Sequence, residues 1–188
     1  MRSLLAGSIL VALLVPALAG AEPKVLSADG HSRMMGLLRS YEYQPTADDF
    51  VQLGDGARDA LVEVALDEAE QPLIRGRAAY ALGWFPDEVS RRTLTGLLAR
   101  PELSDLILRR AIDGLATGFG EDAVSCIAPY LDDERTAVRE TAAAALGRIG
   151  GAKALRALRR RVARETNDVV RGAFEEAIRR IEGSASNE

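Results

Sequence analysis

This chain overlays on itself with a shift of about 32 residues, and that repetition limits its fold more than any single motif does. Four segments align: Ile74 to Gly83, Leu108 to Ala116, Val138 to Gly147 and Val170 to Arg179. Each opens with an aliphatic residue and an arginine and runs to a second aliphatic anchor. Those anchors, Leu82, Leu115, Leu146 and Ile178, are 33, 31 and 32 residues apart. A preceding helix is expected in each unit, over Ala57 to Leu66, Glu88 to Ala99, Ala123 to Leu131 and Lys153 to Ala163. Apolar residues in these recur at helical spacing, as in Leu61, Val64 and Ala65 or Leu155, Leu158 and Val162. Breakers and caps separate the helices: Pro72, Pro86, Asp87, Pro101, Gly118, Gly120, Gly150, Gly151, Asn167 and Asp168. Neither helix of a pair can bury its apolar face alone, so stacking the pairs must build one continuous core.

Composition agrees. Hydrophobic residues make up 47% of the chain but aromatics only 5%, so the core must be closed by small and aliphatic side chains, which suits helices better than a β-sandwich. The fold class expected is all-α, an α-solenoid.

The stretch from Tyr130 to Gly150 resembles the HEAT repeat and, in its short period, the phycobilin-lyase-type subgroup. The resemblance covers about residues 56 to 182, in four HEAT-like units at about 56–86, 87–119, 120–150 and 151–182. It implies a right-handed superhelix of antiparallel helix pairs, with the second helices lining the concave side. It also implies an Asp at the end of each first helix and an Arg at the start of the second, tying the turn. The matching residues are Asp132 or Asp133 with Arg139, and Asp67 with Arg75. The second unit departs from the pattern, with Arg100 in the Asp position and Arg109 and Arg110 one place late. The fourth has Arg164 and Glu165 there, with Arg171.

Residues 1–21 read as a signal peptide: Arg2, an apolar run from Leu4 to Val15, Pro16, then small residues at Ala17, Ala19 and Ala21. The alternative is a retained anchor, although the run is short for a span of ~20 residues. Cleavage after Ala21 would leave no membrane span and place the protein in the periplasm or outside the cell. Residues 22–55 are expected to cap the first unit, with one helix around Met34, Met35, Leu37 and Leu38. A second would be capped by Thr46 and Asp49, with Phe50 and Leu53 facing the core. A disordered tail is expected over residues 183–188.

Several chemistries find no support. His31 and Cys126 are the only histidine and the only cysteine, too few for the usual zinc sites or an internal disulfide. His–Glu pairs of the kind that hold two irons in some HEAT-repeat enzymes do not occur. Neither a glycine-bounded nucleophilic serine nor a phosphate-binding glycine loop is present. Asp132, Asp133 and Glu134 lack the alternation and glycine turn of a calcium loop. The net charge of −4 argues against nucleic acid. The expectation is therefore no enzyme, no catalytic residue, no metal and no cofactor.

Two surfaces are candidates for binding. On the second helices, positions two after, two before and five before the anchor column should face the concave side. They bring up Arg77, Tyr80, Trp84, Arg110, Asp113, Arg148 and Arg180. Arg77, Tyr80 and Trp84 stand at i, i+3 and i+7 on one helix face, and these residue types dominate protein–protein hot spots. Two placements fit Trp84: exposed on the open face, or folded over the hairpin end against Phe85 or Pro86. The other surface is basic. Between Arg148 and Arg164 there are seven cations and no acid, and Lys153, Arg156, Arg159, Arg160 and Arg164 are expected to face outward. Residues 22–105 carry nine basic and fifteen acidic residues, residues 106–188 fourteen and thirteen, so the chain is polarised along its length.

The leading expectation is a monomeric, exported scaffold that binds a protein or peptide through its concave face. The alternatives are a lyase-like enzyme or enzyme subunit, and a structural protein that binds an anionic envelope surface.

Overall fold

A computed structural model describes residues 24–185. The expected signal segment lies outside them, as do the last three residues of the expected tail. Helices α1 (Ala28–Arg39) and α2 (Ala47–Val51) form the N-terminal end. Four pairs follow: α3 (Ala57–Leu66) with α4 (Pro72–Ala81), α5 (Glu88–Leu98) with α6 (Asp105–Phe119), α7 (Val124–Ile127) with α8 (Thr136–Ile149), and α9 (Gly151–Val162) with α10 (Asp168–Ala185). No strand occurs among the described residues. The molecule is a HEAT-like α-solenoid with helices packed in sequence order.

Local chemistry accounts for the boundaries. Ser27 caps α1 by accepting from the Gly30 N–H, and Asp87 caps α5 by accepting from the Ser90 N–H. Pro72 opens α4 at the first turn, where a missing N–H costs nothing. The third unit departs from the expected helix over 123–131. Only α7 is α-helical there, between 3-10 segments Gly120–Ala123 and Ala128–Asp132. Pro129 supplies no N–H to the turn before it and its ring crowds that turn's carbonyl, so the helix tightens instead of continuing. At the other end of the chain α10 runs to Ala185, past Gly183.

The second helices pack directly on one another, α4 on α6, α6 on α8 and α8 on α10, whereas the first helices touch far less. Small residues permit this. A Cβ on Gly83 would overlap the Gly114 carbonyl, and one on Gly118 the Gly83 carbonyl. Gly118, expected to break a helix, instead lies inside α6 at that contact; Gly120, with φ +50°, ends the helix. Between α8 and α10, Gly147 meets Ala177.

Leu82, Leu115 and Leu146 are buried as expected. Ile178 is only half-buried. The buried stripe of α10 is Val170, Phe174, Ala177 and Ile181, a narrow one because among the described residues no further unit packs on this helix. At the opposite end Met34 and Leu38 of α1 and Phe50 of α2 are buried in the same core as Leu61 and Leu82.

The arginines tie the turns, but through carbonyls. Arg75 Nε donates to Ala65 O at 3.3 Å, Arg139 Nη1 to Asp133 O at 2.8 Å and Glu134 O at 3.0 Å, and Arg171 Nη2 to Glu165 O at 2.8 Å. The expected aspartates turn elsewhere: Asp67 accepts from the Ala69 N–H, and Asp133 pairs with Arg135. The second unit, whose Arg109 stands one place late and donates to Thr141 Oγ1 instead, is served by the third. Tyr130 Oη donates to Leu98 O at 2.7 Å and Arg135 Nη1 to Leu103 O at 3.2 Å, both across 32 residues. Carbonyls freed at a helix end need donors, and one repeat period brings them.

Candidate functional site

The N-terminal cap, α4 with the turn that follows it, and Arg110 of α6 line an open cleft of about 350 Å³. Its floor is aromatic. Trp84 packs between Phe50, with ring centroids 5.4 Å apart, and Tyr80, edge-on at 5.2 Å. Local geometry sets this up: after Ala81 the chain tightens into a 3-10 turn, Leu82–Trp84, which turns the indole back toward α2. Trp84 is thus half-buried, and it packs on the cap, a neighbour that neither sequence-based placement included.

The cleft's cations play different parts. Arg77 Nη1 donates to Leu38 O at 2.7 Å and Ser40 O at 2.6 Å, carbonyls at the open end of α1, while its guanidinium lies 5.6 Å from the Tyr41 ring centroid. It therefore holds the cap in place as well as forming part of the wall. Arg110 reaches over the Tyr80 ring at 6.0 Å, and its stem crosses α4 at Gly76, where a Cβ would come within 3.2 Å of Arg110 Cγ. Arg110 is exposed and has no ion pair among the described residues.

The link from Ser40 to Thr46 forms the rim. Tyr41 is 82% exposed and Tyr43 is exposed beside it. Asp49 braces the link, accepting from the Thr46 N–H at 2.7 Å, the Thr46 hydroxyl at 2.8 Å and the Tyr43 hydroxyl at 2.8 Å. The Thr46 N–H, followed by the two hydroxyls, holds the Asp49 carboxyl below its ordinary range, and the bond to Asp49 raises the Tyr43 phenol.

Of the expected concave residues, Arg77, Tyr80, Trp84 and Arg110 meet in this cleft. Asp113 and Arg148 lie outside its wall and pair with each other at 2.5 Å. Arg180 is exposed on the last helix, also outside the wall. Tyr41 and Tyr43 line the cleft without standing among the expected site residues, and Phe50, expected to face the core, is buried behind it. The two tyrosines flanking Glu42 in a polar link beside Pro45 were the available signal.

The basic surface is partly neutralised. Arg159 pairs with Glu182 at 2.6 Å, Lys153 lies 3.6 Å from Glu121 and Arg164 lies 3.9 Å from Asp132. Arg156 and Arg160 are exposed without an ion pair among the described residues. Arg161 turns inward to Asp132 and Glu165. His31 is exposed on α1 and does not line the cleft. Among the described residues no helix is long and apolar enough to cross a membrane, and no group of three or more His, Cys, Asp or Glu is placed to hold a metal.

Fold and cleft together define a helical-repeat protein with an aromatic cleft where its N-terminal helices meet the first repeat. Residues 102–179, from just before α6 to within α10, match the family model for HEAT repeats. No curated protein matches the chain. HEAT repeats commonly mediate protein–protein interaction.

Proposed function

We propose that this is an exported, non-enzymatic scaffold that docks a protein or peptide in the cleft between its cap and first repeats. The observation that carries the reading is the Phe50–Trp84–Tyr80 floor under Arg110, an open cleft of residue types that anchor interfaces. The tight stacking of the second helices supports a concave face on their side, since the more closely packed layer of a curved array lies at the smaller radius. The short period relates the repeats to the phycobilin-lyase-type group, while the wall of the cleft offers contact chemistry.

A photo-crosslinking residue at position 41, on the rim, compared with one at position 125, on exposed Ser125 of α7, tests the docking. The expected result is a discrete adduct from position 41 that disappears with Trp84→Ala. An equal adduct from position 125, or one indifferent to Trp84, would defeat the reading. Export is checked separately, by a mature N-terminus at Glu22.

A second reading rests on Arg156 and Arg160. These two free cations on α9 support contact with an anionic envelope surface. Co-sedimentation with anionic vesicles, lost when both are changed to Glu, is the expected result.

A further inference from the structure

We infer that the cleft selects an acidic, extended peptide segment, in which an apolar side chain sits on the aromatic floor and a neighbouring carboxylate meets Arg110. This deepens the docking reading above and rests on it. Charge points to this ligand. The chain carries 28 Asp and Glu against 24 Lys and Arg, and the N-terminal half is the more acidic. Yet the residues lining the cleft include Arg77 and Arg110 and not one carboxylate.

The two arginines are not equivalent. Arg77 spends hydrogen bonds on the carbonyls of Leu38 and Ser40, so its charge is present but its geometry is committed. Arg110 rests its guanidinium over Tyr80 and has no ion pair among the described residues. Nearby Asp113, the carboxylate one turn along α6, is drawn off by Arg148 at 2.5 Å. Arg110 is also pre-positioned, because its stem lies across Gly76 and its head over Tyr80. A guanidinium so held loses less freedom on binding a carboxylate, and its planar fork fits one in two-pronged fashion.

The apolar half of the ligand follows from the floor. Phe50 is buried and backs the floor, while the half-buried Trp84 and Tyr80 rings leave apolar surface facing the cleft. A volume of about 350 Å³ lies at the low end for enclosed small-molecule sites, and the exposed Tyr41 and Tyr43 leave the rim open. A short stretch of chain that enters and leaves again fits this shape. Neutral or basic segments would leave Arg110 unpaired or repelled.

Trp84 is the only tryptophan, so its emission reports the cleft directly. The probes are three pools of end-capped hexapeptides that place Phe or Leu among Asp and Glu, among Asn and Gln, or among Lys and Arg. The acidic pool should shift Trp84 emission saturably and bind at least about tenfold more tightly than the amide pool, a difference of ~1.4 kcal/mol. The preference should shrink as salt rises, because the pair is partly exposed. Arg110→Glu should transfer the preference to the basic pool while leaving helicity and the unfolding midpoint unchanged. Equal binding of the acidic and amide pools, or an acidic preference that survives Arg110→Glu, would overturn the inference. Such a result would leave docking itself standing if position 41 still crosslinks a partner in a Trp84-dependent way. Silence of all three pools would also overturn it, and joined to the absence of a crosslink would remove the docking reading as well.

Discussion

Glu165 and Arg139 form a buried two-pronged ion pair that fastens the fourth unit to the third. The carboxylate accepts from Arg139 Nε at 2.9 Å and Nη2 at 3.0 Å, and its side chain is 1% exposed. It also accepts from the Asn167 N–H at 3.0 Å, and Arg161 approaches at 3.3 Å. Arg139 meanwhile caps the carbonyls that end its own unit's first helical segment, so one guanidinium serves both units. Glu165→Ala leaves that guanidinium buried beside an empty site, and removing one partner of such a pair costs about 3–5 kcal/mol. Urea unfolding checks this, and Arg139→Met with Glu165→Leu together should recover part of the loss.

Acid sensitivity follows from the same pair. The Arg139 guanidinium holds the Glu165 carboxyl below its ordinary value of 4.5. A carboxylate whose pKa falls on folding stabilises the fold above its unfolded-state value, and that contribution is lost as pH drops through the folded-state value. Unfolding free energy should therefore decline below a pH of about 4.5, and Glu165→Gln should flatten the slope over that window. Unfolding midpoints measured from neutral pH downward for both proteins decide it.

Glycines separate into two kinds. A Cβ on Gly114 would stand 2.8 Å from Ala79 O, where backbone meets backbone and neither helix can yield cheaply. Gly114→Ala should cost about 1–3 kcal/mol or more by forcing α4 and α6 apart. Gly96 in α5 and Gly172 in α10 have nothing near the missing Cβ. Alanine at either should stabilise by about 0.5–1 kcal/mol, through lower backbone entropy in the unfolded chain. Thermal unfolding of the three variants should give opposite signs.

The repeat register has its own test. Leu146 is fully buried, and Leu146→Ala should cost about 2–5 kcal/mol. Arg148, two places on, is exposed and paired with Asp113, so Arg148→Ala should cost only about 0.2–1 kcal/mol. Equal losses in chemical denaturation would mean that the anchor column is misplaced.

Bonds spanning one period should carry measurable stability. Tyr130→Phe removes only the hydroxyl that satisfies Leu98 O, and a helix-end carbonyl left without its donor should cost about 1–2 kcal/mol. Hydrogen exchange should show the loosening in α5 as well as in the third unit.

Period, anchors and small residues were legible in the sequence because they are local or repeat locally. An apolar stripe, a proline at a first turn or a Thr46–Asp49 cap acts within a few residues, and the repeat displays the apolar stripe four times over. So the helix pairs, the buried Leu82, Leu115 and Leu146, the cap helices and the grouping of Arg77, Tyr80 and Trp84 could be derived from residue order alone. Tertiary structure decided the rest. Whether Gly118 ends a helix or admits another depends on Gly83, 35 residues away. That Trp84 lies on Phe50, that Arg77 holds α1, and that Arg110 rests over Tyr80 while Arg148 takes Asp113 all depend on which units lie side by side. Periodicity specifies which face of a helix is buried. Only the packing of separate segments specifies what that face, and the charges around it, will meet.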